Sequence, residues 1–147
     1  MKNILPLTLL TAALSFATLS HAADATLEAS AKEPGAVVTA SGLVYNSLKN
    51  GTGDSPKASD TVKVNYRGTF PDGKEFDSSY KRNKAIEFPL QNVIPCWTEG
   101  VQRMKVGGKA KLTCPASIAY GERGAGSVIP PNSTLVFEVE LLGIRGR

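Results

Sequence analysis

Five aromatic side chains are the strongest candidates for a functional site in this sequence. They come from separate segments of the chain: Tyr66, Phe76, Trp97, Tyr120 and Phe137. In a small domain such residues usually form the hydrophobic core and nothing more. However, a glycine-rich loop over residues 119–133 lies between two predicted strands, and loops of that length are usually functional or disordered. Because this loop also carries Val128 and Ile129, we interpret it as one wall of an apolar cleft.

The sequence excludes most polar catalytic chemistry. Its single histidine, His21, lies in a predicted signal peptide. The processed chain therefore has no imidazole for a catalytic triad, a zinc site or a general base. Residues 121–126 lack the spacing and the Lys-Ser/Thr pair of a phosphate-binding loop. Two cysteines without histidine make a poor zinc site, and the acids over residues 72–77 are explained by a turn. We expect no metal and no cofactor.

The first 22 residues have the features of a secretory signal peptide. Lys2 precedes an apolar run over residues 4–19, and the run ends in Ser20-His21-Ala22, with small residues at the positions that a signal peptidase recognises. A membrane anchor is disfavoured because Pro6 and several hydroxyl side chains interrupt the run, which is shorter than the roughly 20 apolar residues of a span. We expect cleavage after Ala22, export of the processed chain and no membrane anchor afterwards.

The charge balance does not indicate a nucleic-acid partner. The chain has 17 Lys and Arg against 13 Asp and Glu, a net charge of +4, and cleavage would remove Lys2. The cations are scattered along the sequence apart from "KRNK" at residues 81–84, which we interpret as a solvated loop. A mild positive charge of this kind indicates solubility and no more.

Alternating apolar and polar residues predict short antiparallel strands from residue 42 onward. The predicted strand segments are residues 42–48, 61–69, 85–90, 108–114 and 133–144. Pro71-Asp72-Gly73 predicts a hairpin turn, because glycine accepts a positive φ. Residues 23–41 have no aromatic side chain and little periodicity, so they are predicted to be a flexible tail before a domain over residues 42–147.

One short helix is predicted between the strands. Pro95 suits its first turn, where a missing N–H costs nothing. Trp97, Val101 and Met104 follow as one apolar stripe, and Gly107-Gly108 is predicted to end the helix. Five or six antiparallel strands with this helix predict an α+β domain in which the sheet wraps around the helix.

Four segments, in this order, resemble the FKBP-type peptidyl-prolyl cis-trans isomerases: "VNYRGTFPDGKEFDSS", "VIPCWTEGVQRMKVGGKAKL", "AYGERG" and "IPPNSTLVFEVELL". The resemblance covers about residues 42–147. Because the chain is predicted to be exported, it is most similar to the bacterial periplasmic members, the macrophage infectivity potentiator-like group. Many of those carry a long helical dimerisation region before the isomerase domain. Only residues 23–41 occupy that place here, so we expect a monomer.

The resemblance implies an activity and its partners. The activity is isomerisation of X–Pro peptide bonds during the folding of exported proteins. The partners are proline-containing unfolded or exported polypeptides, and macrolides of the tacrolimus and rapamycin type as inhibitors. Two other classes remain open on the sequence alone. One is a non-catalytic proline-peptide-binding module or periplasmic chaperone, and the other is a structural secreted domain with an aromatic core.

The resemblance also implies roles for individual residues. Trp97 should form the floor on which the substrate prolyl ring lies. Ile94 should offer its backbone N–H, and Tyr120 its hydroxyl, to the substrate carbonyl, while Tyr66 and Asp77 are the other catalytic candidates. The substrate-binding walls are implied to be Phe76, Ile86, Val93, Val128, Ile129 and Phe137. The sequence departs from the family in having Ile86 where an aromatic residue is common, and in a shorter segment over residues 90–93.

The two cysteines are candidates for a disulfide bond. Cys96 lies at the start of the predicted helix, and Cys114 lies on the inward face of its strand. Because the helix must pack on that same face, the two sulfurs could come close, and an oxidising compartment permits pairing. The alternative is two free buried thiols that pack as small hydrophobic groups.

Overall fold

The computed structural model describes residues 25–146, so the predicted signal peptide lies outside the described residues. Helix α1 is described over residues 25–31, and helix α2 covers Pro95–Gln102. The strands are β1 (Ala36–Val38), β2 (Val44–Lys49), β3 (Thr61–Thr69), β4 (Glu75–Ser78), β5 (Ile86–Pro89), β6 (Lys109–Cys114) and β7 (Leu135–Ile144). Neither described helix is long and apolar enough to cross a membrane.

The seven strands form one antiparallel sheet in the order β1-β2-β6-β7-β3-β4. Strand β5 pairs with the first half of β3, and β4 pairs with its last residues. The α+β fold with a sheet wrapped around one helix is confirmed. The predicted count of five or six strands falls short of seven: β1 lies in the segment predicted to be a tail, and β4, which follows the predicted hairpin turn, is not among the five predicted strand segments.

The core lies between the concave face of the sheet and α2. Alternation in β7 is confirmed, since its inward residues Leu135, Phe137, Val139 and Leu141 are all buried. Helix α2 approaches β6 closely at Gly100, where a Cβ would overlap the side chain of Leu112. A larger residue at this position would push the helix away from the sheet and disturb everything that the helix carries.

Helix α2 is shorter than predicted. It ends at Gln102 and not at Gly107-Gly108. The N–H groups of Arg103 and Met104 donate to carbonyls three residues back, at 3.1 Å each, which tightens and closes the last turn. Met104 is nevertheless buried, so the predicted apolar stripe continues past the end of the helix.

Residues 25–41 are not the flexible tail that their composition predicts. Helix α1 lies against the outer face of the sheet, where Thr113 Oγ1 donates a hydrogen bond of 2.9 Å to Ser30 Oγ. The Glu33 carboxylate accepts hydrogen bonds from Lys111 Nζ at 2.6 Å and from Asn46 Nδ2 at 3.2 Å. Because these contacts are polar, neither aromatic residues nor apolar periodicity in the sequence indicates that the segment is attached to the sheet.

The end of the same segment is tied to α2. The carboxylate of Glu99 accepts hydrogen bonds from Thr39 Oγ1 at 2.5 Å and from Ser41 Oγ at 2.8 Å. Glu99 is two residues after Trp97 on the helix. The N-terminal segment therefore contacts both the outer face of the sheet and the helix on its inner face.

Candidate functional site

A cavity of about 350 Å³ opens between the start of α2, strands β3 to β5 and β7, and the loop over residues 119–133. It brings together most of the predicted site residues. Its lining consists of Tyr66, Phe76, Asp77, Phe88, Asn92, Val93, Ile94, Trp97, Tyr120 and Phe137.

Trp97 lies at the base of this cavity and is 4% exposed. Its indole ring meets three other rings edge to face, with centroid distances of 5.2 Å to Tyr66 and 5.5 Å to both Phe88 and Phe137. Edge-to-face packing places the positive edge of one aromatic ring against the negative face of another, and it holds the rings in fixed orientations. The indole is therefore part of the core on one side and of the cavity on the other.

A hydrogen-bonded network closes one wall of the cavity. The Tyr66 hydroxyl donates to the Asp77 carboxylate. Arg82 donates to the same carboxylate at 2.7 Å through Nη1 and to the Tyr66 oxygen at 3.3 Å through Nη2. The sequence predicts a solvated loop around Arg82, but a 3₁₀ turn over Tyr80–Arg82 brings this residue to the wall of the cavity. The guanidinium is thus a site residue that the sequence alone does not reveal.

The network fixes the protonation states of its members. Burial and the hydrogen bond to Asp77 raise the pKa of Tyr66 to about 12, so the phenol keeps its proton and remains a donor. Burial by itself raises the pKa of Asp77, but the hydrogen bonds from Tyr66 and Arg82 outweigh it, and the pKa lies below its ordinary value. The carboxylate therefore stays ionised at neutral pH, and its role is to accept hydrogen bonds.

Two donors face the cavity from other elements. Ile94 is the N-cap of α2, and among the hydrogen bonds of residues 25–146 its carbonyl accepts from Trp97 and Thr98 while its own N–H has no acceptor. Tyr120 is 38% exposed at the cavity mouth. Burial and the nearby Asp77 carboxylate raise the pKa of Tyr120, so its hydroxyl also remains a donor.

The structure adds residues that sequence analysis missed. Phe88 and Asn92 line the cavity although neither was predicted to. Gly68 on β3 makes room for the aromatic wall, because a Cβ there would overlap the ring of Phe76 and crowd that of Phe137. Phe88 could have been found, since it follows Ile86 at the strand period of two. The role of Gly68 depends on packing across three strands, so no local sequence pattern predicts it.

Three predicted wall residues do not line the cavity. Ile86 is half-buried on β5 and packs against the core, and the longer Phe88 on the same face supplies the ring that meets Trp97. Ile129 is buried at 5% exposure, because its backbone pairs with Ala125 and turns its side chain into the core. Val128 is 55% exposed, since this same short pairing places it at the tip of the loop.

Cys96 and Cys114 form a disulfide bond in the structure, with 6.0 Å between their Cα atoms. Both residues are fully buried. The bond joins the first turn of α2 to the last residue of β6. It therefore anchors the cavity base, through the residue beside Trp97, to the centre of the sheet. In the described part of the chain no group of three or more His, Cys, Asp or Glu residues could hold a metal ion.

The network around Asp77 predicts a small pH-dependent contribution to stability. Because the pKa of Asp77 is lower in the folded state than its ordinary value of 3.8, the carboxylate stabilises the fold above that value. The contribution is lost as the pH falls through the lower folded pKa. The side chain is 39% exposed, so we expect Asp77→Asn to remove only about 0.5–1 kcal/mol at pH 7.

Urea unfolding of the wild type and Asp77→Asn from pH 7 to pH 2 measures this contribution. The gap between the two proteins should close at acid pH. Tyr66→Phe is the matched control, since it removes one donor and should reduce the pH dependence without eliminating it. A gap of constant size down to pH 2 would contradict the assigned role of the carboxylate.

Comparison with known proteins identifies the class to which this fold and site belong. The family model of the FKBP-type peptidyl-prolyl cis-trans isomerases matches residues 53–142. The chain belongs to this family, and the resemblance noted in the sequence is confirmed.

Individual relatives place the chain more closely. It is 55% identical over 115 residues to the FKBP-type peptidyl-prolyl cis-trans isomerase FkpA of Escherichia coli K12, covering 78% of this chain and 42% of FkpA. It is 45% identical over 122 residues to the outer membrane protein MIP of Legionella longbeachae, covering 83% of this chain and 52% of that protein. The chain thus spans about half or less of the length of these curated relatives.

Two solved structures share the fold. The crystal structure of E. coli FkpA aligns with a TM-score of 0.84 and 51% identity, covering 87% of this chain and 60% of that one. A peptidyl-prolyl cis-trans isomerase from Pseudomonas syringae aligns with a TM-score of 0.81 and 36% identity. This alignment covers 91% of this chain and 98% of the Pseudomonas chain.

Proposed function

We propose that this protein catalyses cis-trans isomerisation of X–Pro peptide bonds in exported polypeptides. The observation that carries the proposal is the aromatic cavity with Trp97 at its base and the Tyr66–Asp77–Arg82 network in its wall. Its apolar base suits a pyrrolidine ring. The Ile94 N–H and the Tyr120 hydroxyl are donors at the cavity, and its one carboxylate, Asp77, already accepts three hydrogen bonds.

The reaction needs no nucleophile and no metal. Rotation about the amide breaks C–N resonance, with a barrier of about 18–20 kcal/mol, and no bond is made or cut. The X–Pro bond therefore interconverts over tens to hundreds of seconds without a catalyst. A protein can accelerate the rotation by binding the twisted amide better than the planar one.

The cavity provides two means of doing so. The planar amide is the more polar state, because resonance separates charge between oxygen and nitrogen, so a water-poor aromatic pocket disfavours it relative to the twisted amide. The N–H of Ile94 and the hydroxyl of Tyr120 hold the substrate carbonyl while the rest of the chain rotates. A reduction of the barrier by about 5–6 kcal/mol corresponds to roughly 10⁴-fold acceleration.

We further propose where the protein works and with what. The predicted signal peptide supports export to the periplasm after cleavage at Ala22, and the name of the Legionella relative, an outer membrane protein, agrees with export. The substrates are proline-containing unfolded polypeptides. Macrolides of the tacrolimus and rapamycin type compete for the same cavity. The processed chain acts as a monomer, without a cofactor.

A proline-limited refolding reaction tests the activity. Catalytic amounts of the processed protein should accelerate the slow phase, and tacrolimus should abolish the acceleration. Tyr120→Phe should reduce kcat/KM by about tenfold, because it removes one hydrogen bond to the bound carbonyl. Tyr45→Phe is a matched control, since Tyr45 is half-buried away from the cavity and its loss should leave the rate unchanged.

The same experiment separates catalysis from binding alone. A protein that binds tacrolimus but leaves the slow phase unaltered would be a proline-binding module or chaperone. A protein that does neither would refute the proposed site altogether. Equal effects of Tyr120→Phe and Tyr45→Phe would show that the hydroxyl of Tyr120 has no particular role.

A further inference from the structure

A second groove, of about 260 Å³, lies at the opposite end of α2 from the aromatic cavity. Ile94 and Trp97 face the cavity at the start of the helix, and Arg103 follows its last residue at the groove. Since α2 has eight residues, the helix separates the two sites by about 12 Å. The groove shares no lining residue with the aromatic cavity.

Positive charge is concentrated in this groove. Four of the side chains that line it are cationic, Lys49, Arg103, Lys105 and Lys109, and among the described lining residues none is acidic. Arg103 alone has a structural explanation, because a cation at the end of a helix interacts favourably with the helix dipole. Of the three lysines, Lys109 forms an ion pair with Glu138, and Lys49 and Lys105 form none among residues 25–146.

Two of the lysines face each other across the sheet. Lys49 and Lys109 are direct partners across the antiparallel pair of β2 and β6. Like charges in directly opposite positions destabilise a sheet. The register shifts between Ser47 and Lys49, and bulges of this kind redirect side chains and are frequent near functional sites. Lys109 has acidic neighbours on its other side, since Glu140 is its direct partner on β7 and Glu138 lies 3.8 Å away. Lys49 takes part in none of the ion pairs of residues 25–146.

Asn50 adds an uncharged hydrogen-bond donor to the groove. Ser47 Oγ donates to Asn50 Oδ1 at 2.9 Å, which fixes the side-chain amide and leaves its Nδ2 group available. Gly51 lines the groove with backbone that carries no side chain, whereas the backbone of the buried Gly108 is already hydrogen-bonded to Lys105 and Leu141. Their loops are packed so closely that a Cβ on Gly51 would overlap the carbonyl oxygen of Lys105.

Backbone hydrogen bonds join the two loops that form the groove. The N–H groups of Thr52 and Gly53 both donate to the carbonyl of Val106, at 3.2 and 3.0 Å. Val106 in turn donates to the carbonyl of Asp54 at 3.0 Å. These bonds hold the loop after β2 against the loop before β6, so they fix the backbone that carries Arg103 and Lys105 beside the end of β2, where Lys49 lies.

We propose that this groove binds a phosphate group. Four cations and the Asn50 side-chain amide around one small space suit an anion with more than one charge and with acceptors in several directions. A single carboxylate has one charge and two oxygens and would leave most of the lysines uncompensated. The volume accommodates a phosphate together with part of the molecule that carries it. Free phosphate compounds and the headgroups of anionic phospholipids share this chemistry.

Titration of the ¹⁵N-labelled processed protein with sodium pyrophosphate, at constant ionic strength, tests the proposal. Saturable shifts should appear at Asn50, Gly51 and Gly108, and the amides of the aromatic cavity should not move. Lys49→Gln and Arg103→Gln should each weaken binding by about tenfold, the loss expected for one charge-assisted hydrogen bond. Lys63→Gln is the matched control, because it removes the same charge from an exposed position on β3.

Thermal unfolding supplies a second measurement. Without an anion, Lys49→Gln should melt no lower than the wild type, because it removes the repulsion from Lys109. With pyrophosphate, the wild type and Lys63→Gln should gain stability, and Lys49→Gln should gain much less. A destabilised Lys49→Gln protein would contradict the inference that this lysine is kept for a ligand.

Vesicle sedimentation separates the two sources of phosphate. Binding to phosphatidylglycerol vesicles, but not to pure phosphatidylcholine, that is lost in Arg103→Gln would identify a lipid headgroup. Pyrophosphate binding without vesicle binding would identify a free phosphate compound. The proposal is overturned if neither ligand binds, if Lys63→Gln weakens binding as much as Lys49→Gln, or if polyglutamate binds as tightly as pyrophosphate.

Discussion

The Trp97→Ala variant is expected to lose about 3–5 kcal/mol of unfolding free energy, the cost typical of removing a buried aromatic side chain. The indole is 4% exposed and packs against three rings, so the deletion leaves a cavity that rigid neighbours cannot fill. The same change removes the floor of the site. The proposed isomerase activity and macrolide binding should therefore fall to background even under conditions where the variant remains folded.

Trp97→Phe separates the two effects. It retains an aromatic ring and removes the indole N–H, which has no acceptor among the described residues. We expect this variant to keep most of the stability and to bind ligand more weakly. Because Trp97 is the only tryptophan of the chain, its emission also reports directly on the site. If the emission does not change at saturating tacrolimus, Trp97 has a purely structural role.

Loss of the Cys96–Cys114 bond is expected to cost about 3 kcal/mol. The bond closes a loop with a sequence separation of 18, and loop-closure entropy gives this magnitude for a loop of that length. Urea unfolding of the oxidised protein, with and without reductant, measures the loss. A Cys96→Ala/Cys114→Ala double variant should match the reduced protein and should not respond to reductant.

The occurrence of the bond in the cell can be checked independently. Protein purified from the periplasm and alkylated without reductant should show no modified cysteine by mass spectrometry. Two alkylated cysteines would mean that the native protein lacks the bond. Because the bond joins the residue beside Trp97 to β6, reduction should also weaken macrolide binding, by less than the Trp97→Ala change does.

Local patterns account for the part of the fold that the sequence predicted. The alternation in β3 and β7 records which side of the sheet is buried, and the Pro71-Asp72-Gly73 turn joins β3 to β4 through a glycine with φ of 87°. Each of these features depends on residues that are neighbours in the chain. The end of α2 was misplaced because its closing hydrogen bonds need no glycine.

Contacts between distant segments account for what the sequence missed. Arg82 reaches Asp77 only because a 3₁₀ turn reverses the chain, and α1 is attached by single polar contacts such as that between Ser30 and Thr113. The cationic groove collects lysines from both sides of α2, which are too far apart in sequence to form a visible cluster. Apolar periodicity in the sequence does not predict such pairings, since each of these residues taken alone is an ordinary surface residue.

Strand β1 also limits how this sheet can meet other chains. Without it, β2 would form the edge and would present six residues of backbone to an unfolded polypeptide. Strand β1 is only three residues long and pairs with Val44, Tyr45 and Asn46 of β2. The part of β2 that stays unpaired on this side contains a bulge and ends at Lys49. Short, irregular and charged edges are the features by which natural sheets avoid aggregation. A protein whose proposed substrates are unfolded chains can thus hold them at its aromatic cavity without serving as a template for their β-structure.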